Sequence, residues 1–410
     1  MCGIFGFSFE DDQNDQLLLK MGDLQYHRGP DGSAYYRDKN ISLGMRRLSI
    51  IDIKYGDQPF CNRNKDVVVF CNGEIYNYIE LRAELKGLGY TFNTNSDIEV
   101  IPHLYEKYGL EFIHKLNGMF AISIYDKQKK ELILIRDRLG IKPLYYTTDS
   151  KNELMFSSEI KSILASELCQ KKVNFEAINL YLDLNYIPNP LTPYEDIKML
   201  PSASYLKWNK EGIKIQKYWE LSLSADTDEN EDLVIEEMND IIQDSIKIQM
   251  RSDVPVGSFL SGGIDSSLVT AMAADNTPQN MSTFHLHWNG IDGKYDESSH
   301  ARLVSEKYNT NHYVKDINDE ALIHLIPKLI WHLEEPFSDG AFVFTYALAE
   351  KAAEHVKVIL SGAGGDELFG GYGHYSRKPN IQSIVSNILL KQNPVKTFQS
   401  RSVKNMSQLK

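Results

Sequence analysis

Two stretches of the sequence are rich in small residues and could bind a ligand. The first spans residues 261–267. It reads Ser-Gly-Gly-Ile-Asp-Ser-Ser. Glycines let backbone N–H groups approach a phosphate closely, and serine hydroxyls add further donors. Asp265 stands where the Walker pattern would place lysine, so a cation must separate its carboxylate from any phosphate. The run predicts a phosphate site that uses Mg²⁺, held largely by nucleotide oxygens and water; a turn without a ligand is the alternative.

The second stretch spans residues 361–372 and contains another carboxylate, Asp366. Two small-residue turns that follow parallel strands could hold one pyrophosphate and its Mg²⁺ from both sides. Asp265 and Asp366 are therefore the candidate metal ligands. The alternative is that Asp366 and Glu367 only open a helix, where acidic side chains are electrostatically favoured.

The N-terminus offers a different chemistry through Cys2. Removal of Met1 would give Cys2 a free α-amino group beside its thiol. An amine with a pKa of about 7.7–8.0 can accept the thiol proton and later return it to a leaving amine. Cys2 is therefore a candidate nucleophile, and the alternative is a second-position cysteine without a role.

Further along, Asn72 and Gly73 follow the apolar run 67–71 and supply a side-chain amide and an unhindered backbone N–H. These are the donors that an oxyanion hole needs, although Asn-Gly is also a strong signal for a hairpin turn. At residues 96–99, Ser96 and Glu99 fit a helix-capping box, which leaves Asp97 free to bind a cationic group.

The elements that must position these residues fall into two patterns. The first half predicts many strands, few helices and no alternation between them, which favours two packed sheets with helices outside. After residue 275, strands alternate with helices, which indicates a doubly wound parallel sheet with ligands at the strand ends. The predicted strands are 1–9, 67–71, 119–125, 132–136, 254–260, 282–288 and 356–360, and the helices are 15–25, 230–251, 268–274, 298–307, 320–332 and 341–354.

Length, charge and composition limit the number of domains, the kinds of ligand and the location that we expect. A chain of 410 residues favours two to three domains. The net charge of −12 disfavours nucleic acid, because such binding depends on neutralising phosphates. The apolar runs are too short to span a bilayer, and the first residues lack a basic leader. The four cysteines fit neither a zinc site nor a disulfide framework, so a cytoplasmic location is expected.

The first half resembles the class II glutamine amidotransferase domain, an α+β αββα sandwich of the N-terminal-nucleophile type. The residues that carry this resemblance are Cys2 and the motifs at 27–32, 47–51, 72–76, 96–97 and 136–146. The resemblance implies that Cys2 attacks the glutamine side-chain amide and releases ammonia through a thioester. It assigns the oxyanion to Asn72 and Gly73, the substrate carboxylate to Arg47, and the substrate ammonium to Glu74 and Asp97. Bidentate arginine suits a carboxylate, in agreement with these roles.

The glycine-rich runs resemble the ATP-pyrophosphatase domain, and the whole order resembles glutamine-hydrolysing asparagine synthetases. The resemblance implies that ATP and Mg²⁺ activate aspartate as β-aspartyl-AMP, with release of pyrophosphate. Ammonia made at Cys2 then crosses a tunnel and displaces AMP. Leu260 and Leu286 would border the adenine. The remaining residues would hold the ribose and phosphates: Ser261, Gly262, Gly263, Asp265, Ser266, Ser267, Ser361 and Gly362.

The expected organisation is an amidotransferase domain at 2–165, a connecting region at 166–229 and a synthetase domain at 230–410. Two departures from the family are visible: Ala363 replaces a glutamate that many members carry, and the chain ends soon after Asp366. The synthetase half is therefore expected to be incomplete, with a polar last stretch at 380–410. Another carboxylate acceptor, or a remnant that retains only glutaminase activity or nucleotide or partner binding, stays open as an alternative. Family members are often dimers, which the sequence itself does not decide.

Overall fold

The structure is a computed structural model that describes residues 1–9, 14–39, 41–166, 169–222, 230–277, 280–290, 296–373 and 375. The stretch 380–410 lies outside these residues. The strands are β1 (Gly3–Phe7), β2 (Gly32–Asp38), β3 (Ile41–Arg47), β4 (Phe60–Cys61), β5 (Val67–Ile75), β6 (Gly118–Asp126), β7 (Glu131–Arg136), β8 (Tyr145–Thr148), β9 (Leu154–Ser157), β10 (Lys198–Met199), β11 (Ser204–Asn209), β12 (Gly212–Lys217), β13 (Val256–Phe259), β14 (Ser282–Trp288), β15 (Asn311–Ile317) and β16 (Val358–Leu360). The helices are α1 (Asn14–Leu24), α2 (Tyr78–Gly87), α3 (Val100–Tyr108), α4 (Ile160–Ile163), α5 (Phe175–Leu184), α6 (Glu231–Gln249), α7 (Ile264–Asp275), α8 (Ser298–Lys307), α9 (Asp319–Leu333), α10 (Ala341–Ala353) and α11 (Gly365–Phe369), with short 3₁₀ turns at Tyr26–Arg28 and Gly109–Lys115.

The first half forms two antiparallel six-stranded sheets, in the orders β10-β8-β9-β1-β3-β2 and β12-β11-β7-β6-β5-β4. Alternating side chains on each strand give the sheets two buried faces. In β1, Ile4 enters the core between the sheets, whereas Phe5 packs with α1 and α4. In β5, Phe70 faces the same central core and Val69 packs with α2 and α3. The predicted αββα sandwich is therefore confirmed.

The sandwich extends beyond the predicted boundary at residue 165. Strand β10 pairs with β8, β11 pairs with β7, and β12 pairs with β11. Both sheets thus gain strands from the segment predicted as a connection. The sequence missed them because β10 has only two residues and because β10 and β12 lie at sheet edges, where pairing depends on neighbours far away in the chain.

The second half contains a parallel sheet in the order β15-β14-β13-β16. Ile359 and Leu360 are neighbours in β16 and so point to opposite faces. Leu360 packs in a core with α6 and α7, and Ile359 packs in a second core with α10. Helices on both faces confirm the doubly wound fold. From β13 the chain adds β14 and β15 on one side and then returns to add β16 on the other side. The strand order therefore reverses between β13 and β16, and the carboxyl ends of these two strands form the switch point that binds ligands in such folds.

Local differences from the predicted elements have physical causes. Asn72 and Gly73 lie inside β5, opposite Ala121 and Phe120 of β6, so the hairpin alternative is wrong. Strand β15 was not predicted, and its side chains are mostly exposed or half-buried, which weakens the apolar pattern. Within the described residues, no helix combines the length and apolar character that crossing a membrane requires.

Candidate functional site

The Cys2 thiol lies against the end of strand β3. Because β1 pairs antiparallel with β3, Gly3 is opposite Arg46 and Cys2 approaches Leu48. The Leu48 N–H donates to Cys2 Sγ at 3.3 Å, and the thiol contacts Leu48 O at 3.7 Å. Burial raises the pKa of the Cys2 thiol above its usual value. The thiol therefore needs a base before it can act as a nucleophile.

The α-amino group of Met1 shows how the surroundings of Cys2 affect the pKa of an amine. The pKa of the Met1 amino group is lowered to about 5, mainly by burial, and the charges of Arg28 and Lys142 contribute to this decrease. Arg28 Nε donates to Cys2 O at 2.9 Å, which fixes the terminal segment. An amine in this place is a free base at neutral pH. The Cys2 nitrogen lies in a peptide bond here. Removal of Met1 would take the Met1 amine away with it and would free the α-amino group of Cys2 itself, close to the same neighbours.

The side chain of Ser158 links Asn72 to the N-terminal strand that follows Cys2. Ser158 Oγ accepts the Ile4 N–H at 3.0 Å and the Asn72 amide at 3.4 Å. Asn72 is fully buried, and its Oδ1 has no hydrogen-bond partner among the described residues. A β-carbon on Gly73 would lie 2.1 Å from Met119 O, so only glycine fits there. These are the two residues predicted to hold the oxyanion.

The half-buried Glu74 and the buried Asp97 form a pair of acids. The Ile75 N–H donates to Asp97 Oδ2 at 2.8 Å and orients that carboxylate. Burial, followed by the charge of Asp97, raises the pKa of Glu74 well above its usual value. Burial also raises the pKa of Asp97. Because the charge of Asp97 disfavours ionisation of Glu74, a cationic group would stabilise the pair with both acids ionised.

The capping alternative for residues 96–99 is wrong. The Glu99 carboxylate accepts the Asn93 N–H at 2.7 Å and the Thr94 N–H at 2.9 Å. Ser96 Oγ accepts the Ile98 N–H at 3.3 Å, ahead of helix α3. Both side chains therefore shape the loop that presents Asp97.

Arg47 ends strand β3 with its guanidinium enclosed by the following loop. Nη2 donates to Ile51 O at 3.1 Å and to Asp52 O at 2.8 Å. Nη1 donates to Ile53 O at 3.3 Å and to Asp57 Oδ1 at 2.7 Å. The Asp57 side chain is 78% exposed. Of the four partners, Asp57 is therefore the one that a ligand could displace. Its carboxylate occupies the position on Arg47 that a substrate carboxylate would take.

Sequence reasoning missed four side chains that complete this region. Arg28 Nη1 donates to Glu159 Oε1 at 3.2 Å, and Arg28 Nη2 is buried without a partner among the described residues. Lys142 is buried and its Nζ lies 3.0 Å from the Met1 sulfur. Arg28 and Lys142 belong to motifs that were recognised, whereas Ser158 and Glu159 carried no local signal.

The loop after β13 has the shape that its glycines predict. Gly262 has a φ of +100°, and a β-carbon there would lie 2.7 Å from Glu297 O. Ser261 Oγ and Ser266 Oγ lie 2.8 Å apart, and Ser266 Oγ donates to Gly263 O at 3.2 Å. Two of the three predicted phosphate-binding hydroxyls therefore hold the loop itself together.

The two glycine-rich runs meet in the folded chain. A β-carbon on Gly362 would lie 2.6 Å from Ser266 N and 3.0 Å from the Asp265 β-carbon. Asp366 lies in the first turn of α11, as the helix-opening alternative also expects. Carboxylate oxygens suit Mg²⁺. The described residues contain no group of three or more side chains able to hold a metal, so the ion would depend on nucleotide oxygens.

A cavity of about 330 Å³ opens beside this loop at the end of β14. It is lined by Ser261, His285, Leu286, His287, Trp288, Asp296, Glu297 and Phe344. Leu286, predicted to border the adenine, is among these residues, whereas Leu260, predicted to do the same, is only 1% exposed and does not line the cavity. His285 Nδ1 donates to Leu260 O at 3.0 Å, so this histidine positions the loop.

Comparison with known proteins covers both halves. The model of a glutamine amidotransferase domain matches residues 1–219, and the asparagine synthase model matches residues 237–408. The chain is 39% identical to asparagine synthetase [glutamine-hydrolyzing] 1 of Bacillus subtilis, over 92% of this chain and 60% of that protein. It is 39% identical to putative asparagine synthetase [glutamine-hydrolyzing] 2 of Methanocaldococcus jannaschii, over 91% of this chain and 76% of that protein. The chain thus spans about 60% of the first relative's length.

Among solved structures, the chain resembles a glutamine phosphoribosylpyrophosphate amidotransferase from B. subtilis in complex with ADP and GMP. The TM-score is 0.42 at 15% identity, with 77% of this chain and 81% of that chain covered. This similarity is too low to support a functional argument.

Proposed function

Since the chain belongs to the family of glutamine-hydrolysing asparagine synthetases, we propose that it makes asparagine from aspartate, ATP and glutamine. Glutamine would be hydrolysed at Cys2, and aspartate would be activated where the two glycine-rich runs meet. The observation that supports this proposal is that predicted site residues far apart in the sequence are in contact in the structure. Asp265 and Ser266 touch Gly362 in one half, and Asn72 reaches the Cys2 segment through Ser158 in the other.

In the glutamine reaction, the Cys2 amine left by removal of Met1 accepts the thiol proton. The thiolate attacks the side-chain carbonyl carbon of glutamine and forms a C–S bond. Donors from Asn72 and Gly73 stabilise the oxyanion. Collapse of this intermediate breaks the C–N bond, and the ammonium proton of Cys2 passes to the departing nitrogen, which leaves as ammonia. Water, deprotonated by the same amine, then cleaves the thioester and releases glutamate.

The charges of the site suit a zwitterionic amino acid. Arg47 faces the α-carboxylate of glutamine, which would replace the exposed Asp57 as its partner. Glu74 and Asp97 face the α-ammonium group, whose positive charge relieves the repulsion between the two acids. Because Asp57 is the only exchangeable partner among the four partners of Arg47, the substrate carboxylate would take its place on Nη1 through a charge-assisted hydrogen bond.

In the synthetase reaction, the β-carboxylate of aspartate attacks the α-phosphate of ATP and releases pyrophosphate. Backbone donors around Gly262, Gly263 and Gly362 would bind the phosphates at the switch point. When bound between Asp265 and Asp366, Mg²⁺ would neutralise the charge of the pyrophosphate. Ammonia then attacks the acyl carbon of β-aspartyl-AMP, and AMP departs.

One observation favours a second candidate, a related enzyme with a different carboxylate acceptor. Ala363 cannot supply the carboxylate that the family resemblance associates with this position. Its N–H donates to Ser361 Oγ at 3.1 Å, so the residue takes part in the loop only through its backbone. An acceptor other than aspartate would still require Cys2, Asp265 and the ATP loops.

The net charge of −12 also leads us to propose small-molecule substrates without nucleic-acid or membrane partners. A cytoplasmic location is the corresponding proposal, because the four cysteines are free thiols, as is usual in a reducing compartment. A homodimer is proposed from the resemblance to the family.

The decisive experiment measures pyrophosphate release from ATP and Mg²⁺ with aspartate, using an ammonium salt in place of glutamine. Release that depends on aspartate supports the synthetase assignment. Glutamine hydrolysis without such release would reject aspartate as the acceptor. In parallel, Cys2→Ala should abolish glutamine hydrolysis and leave the ammonium-dependent reaction intact. Loss of both activities in a folded Cys2→Ala variant would contradict the assigned division of labour.

A further inference from the structure

The segment 251–253 joins α6 to β13 and touches both walls of the predicted glutamine site. Arg251 donates from Nη1 to Tyr76 O at 2.5 Å and to Glu80 Oε2 at 2.7 Å, and from Nη2 to Glu80 Oε1 at 2.6 Å. Tyr76 follows Glu74 by two positions, at the end of β5. The second half of the chain therefore holds the strand end that carries one of the substrate-binding acids.

Asp253 holds the opposite wall, the loop that encloses Arg47. The Asp52 N–H donates to Asp253 Oδ2 at 2.7 Å, and the Asp253 N–H donates to Ile50 O at 3.1 Å. Hydrogen bonds to a charged acceptor are about twice as strong as those between neutral groups. The loop is thereby tied to the second half at two backbone positions.

Asp52 is the residue in this loop that most needs external support. Its φ is +48°, a left-handed conformation that is unfavourable for most residues other than glycine. Its own carboxylate accepts the Tyr55 N–H at 3.0 Å and the Asn95 N–H at 2.7 Å. Asp253 supplies the bond to the Asp52 N–H, so three contacts together fix one strained residue.

The same residue orients Arg47. Arg47 Nη2 donates to Asp52 O at 2.8 Å and to Ile51 O at 3.1 Å. Arg47 is itself 7% exposed, so its direction is set by these carbonyl groups. A short series of contacts thus runs from Asp253 through Asp52 to the guanidinium.

We propose that Asp253, supplied by the second half of the chain, is a positioning residue for glutamine binding, with Arg251 as its companion on the other wall. This inference rests on the proposed function, because it requires Arg47 to bind the substrate carboxylate. The segment continues through β13 into the loop at Ser261. One stretch of chain therefore supports the glutamine site and leads directly into the nucleotide loop.

The test compares glutamine hydrolysis by Asp253→Ala, Asp253→Asn and the unmodified protein. Asp253→Ala should raise KM for glutamine about tenfold and change kcat less than about twofold, since binding is lost equally in the ground and transition states. Asp253→Asn should give a smaller rise, because its amide oxygen still accepts the Asp52 N–H. This variant also covers the case in which the alanine variant does not fold.

Ser338→Ala is the matched control. It removes a 2.9 Å hydrogen bond between Ser338 and Tyr181, another contact between the two halves that does not touch the Arg47 loop. This variant should retain the KM of the unmodified protein. An equal rise in KM in the control would mean that Asp253 only docks the two halves, and the inference would be overturned.

A double-mutant cycle with Arg47→Ala tests whether Asp253 affects glutamine binding through Arg47. If Asp253 acts through Arg47, the Kd of glutamine in the double variant should match that of Arg47→Ala alone, measured by calorimetry in a Cys2→Ala background. Fully additive effects would overturn the inference. Absence of glutamine hydrolysis in the unmodified protein would instead remove the proposed function, and this inference with it.

Discussion

Gly365 leaves no space for a side chain beside the carboxylate of Asp265. A β-carbon on Gly365 would lie 2.5 Å from Asp265 Cγ and 2.6 Å from Oδ2. The helix start of the second glycine-rich run is therefore packed directly on the acid of the first run. Parallel strands bring these loops together at the switch point, although almost a hundred residues of sequence separate them.

The first prediction follows from this contact. Gly365→Ala should push the Asp265 carboxylate aside and reduce aspartate-dependent pyrophosphate release about 100-fold, since a displacement near 1 Å can have that cost. Glutamine hydrolysis should not change. The control is Gly87→Ala, where a β-carbon would meet nothing within 4 Å. Equal pyrophosphate release by both variants and the unmodified protein would contradict a role for Asp265 in the nucleotide site.

The second prediction concerns the pH dependence of glutamine hydrolysis. Burial sets the Met1 amino pKa at about 5, and Arg28 and Lys142 lower it, whereas Cys2 and Glu74 raise it. We expect the same surroundings to act on the Cys2 amine. Activity should require the free base and fall as the pH drops through the amine pKa. Lys142→Met removes a positive charge and should move this acidic limb upward by roughly one pH unit.

Lys142→Arg is the matched variant, because it keeps the charge and should leave the limb in place. The measurement is kcat/KM for glutamine as a function of pH, which reports groups of the free enzyme. Mass spectrometry first establishes that Met1 has been removed from each sample. Identical profiles for Lys142→Met and the unmodified protein would show that Lys142 does not act on the amine.

The third prediction links the Glu74 and Asp97 pair to stability. Burial raises the pKa of Glu74 in the folded state, so folding takes up a proton that the unfolded chain has already released. Stability should therefore decrease as the pH rises from the unfolded value of about 4.3 through the raised folded value. Glu74→Gln should weaken this dependence and raise Tm at pH 8, by about 2–4 °C for each kcal/mol gained.

The same Glu74→Gln variant should bind glutamine less well, because the substrate ammonium loses a charged partner. Thermal unfolding at pH 5 and pH 8 and KM for glutamine give the two readouts. A variant that is less stable than the unmodified protein at pH 8 would show that the ionised pair is not a source of strain.

The fourth prediction concerns the carboxylate that already lies on Arg47. Asp57 Oδ1 is 2.7 Å from Arg47 Nη1, and its side chain is 78% exposed. If glutamine displaces it, Asp57→Asn should lower KM by at most about fivefold, as expected for an exposed ion pair. An increase in KM in kinetic assays at constant ionic strength would instead assign Asp57 a supporting role.

Much of the site could be predicted from short stretches of sequence. Residues 261–267 follow strand β13 and lead into helix α7, as their local pattern predicted, and nucleotide binding by this loop stays a prediction. The alternation of strands and helices after residue 275 likewise predicted the doubly wound sheet and placed both glycine-rich runs at its edge. Strand β15 was missed because its exposed side chains weaken the apolar pattern.

The sequence by itself determined the chemical groups: a thiol at Cys2, donors at Asn72 and Gly73, acids at Glu74 and Asp97, and two glycine-rich turns with one aspartate each. Only the tertiary structure decided which of these meet, and which further side chains support them. Ser158, Lys142 and Asp253 act through contacts with residues more than eighty positions away. Neither spacing nor composition encodes such contacts, because the packing of whole sheets and helices fixes them.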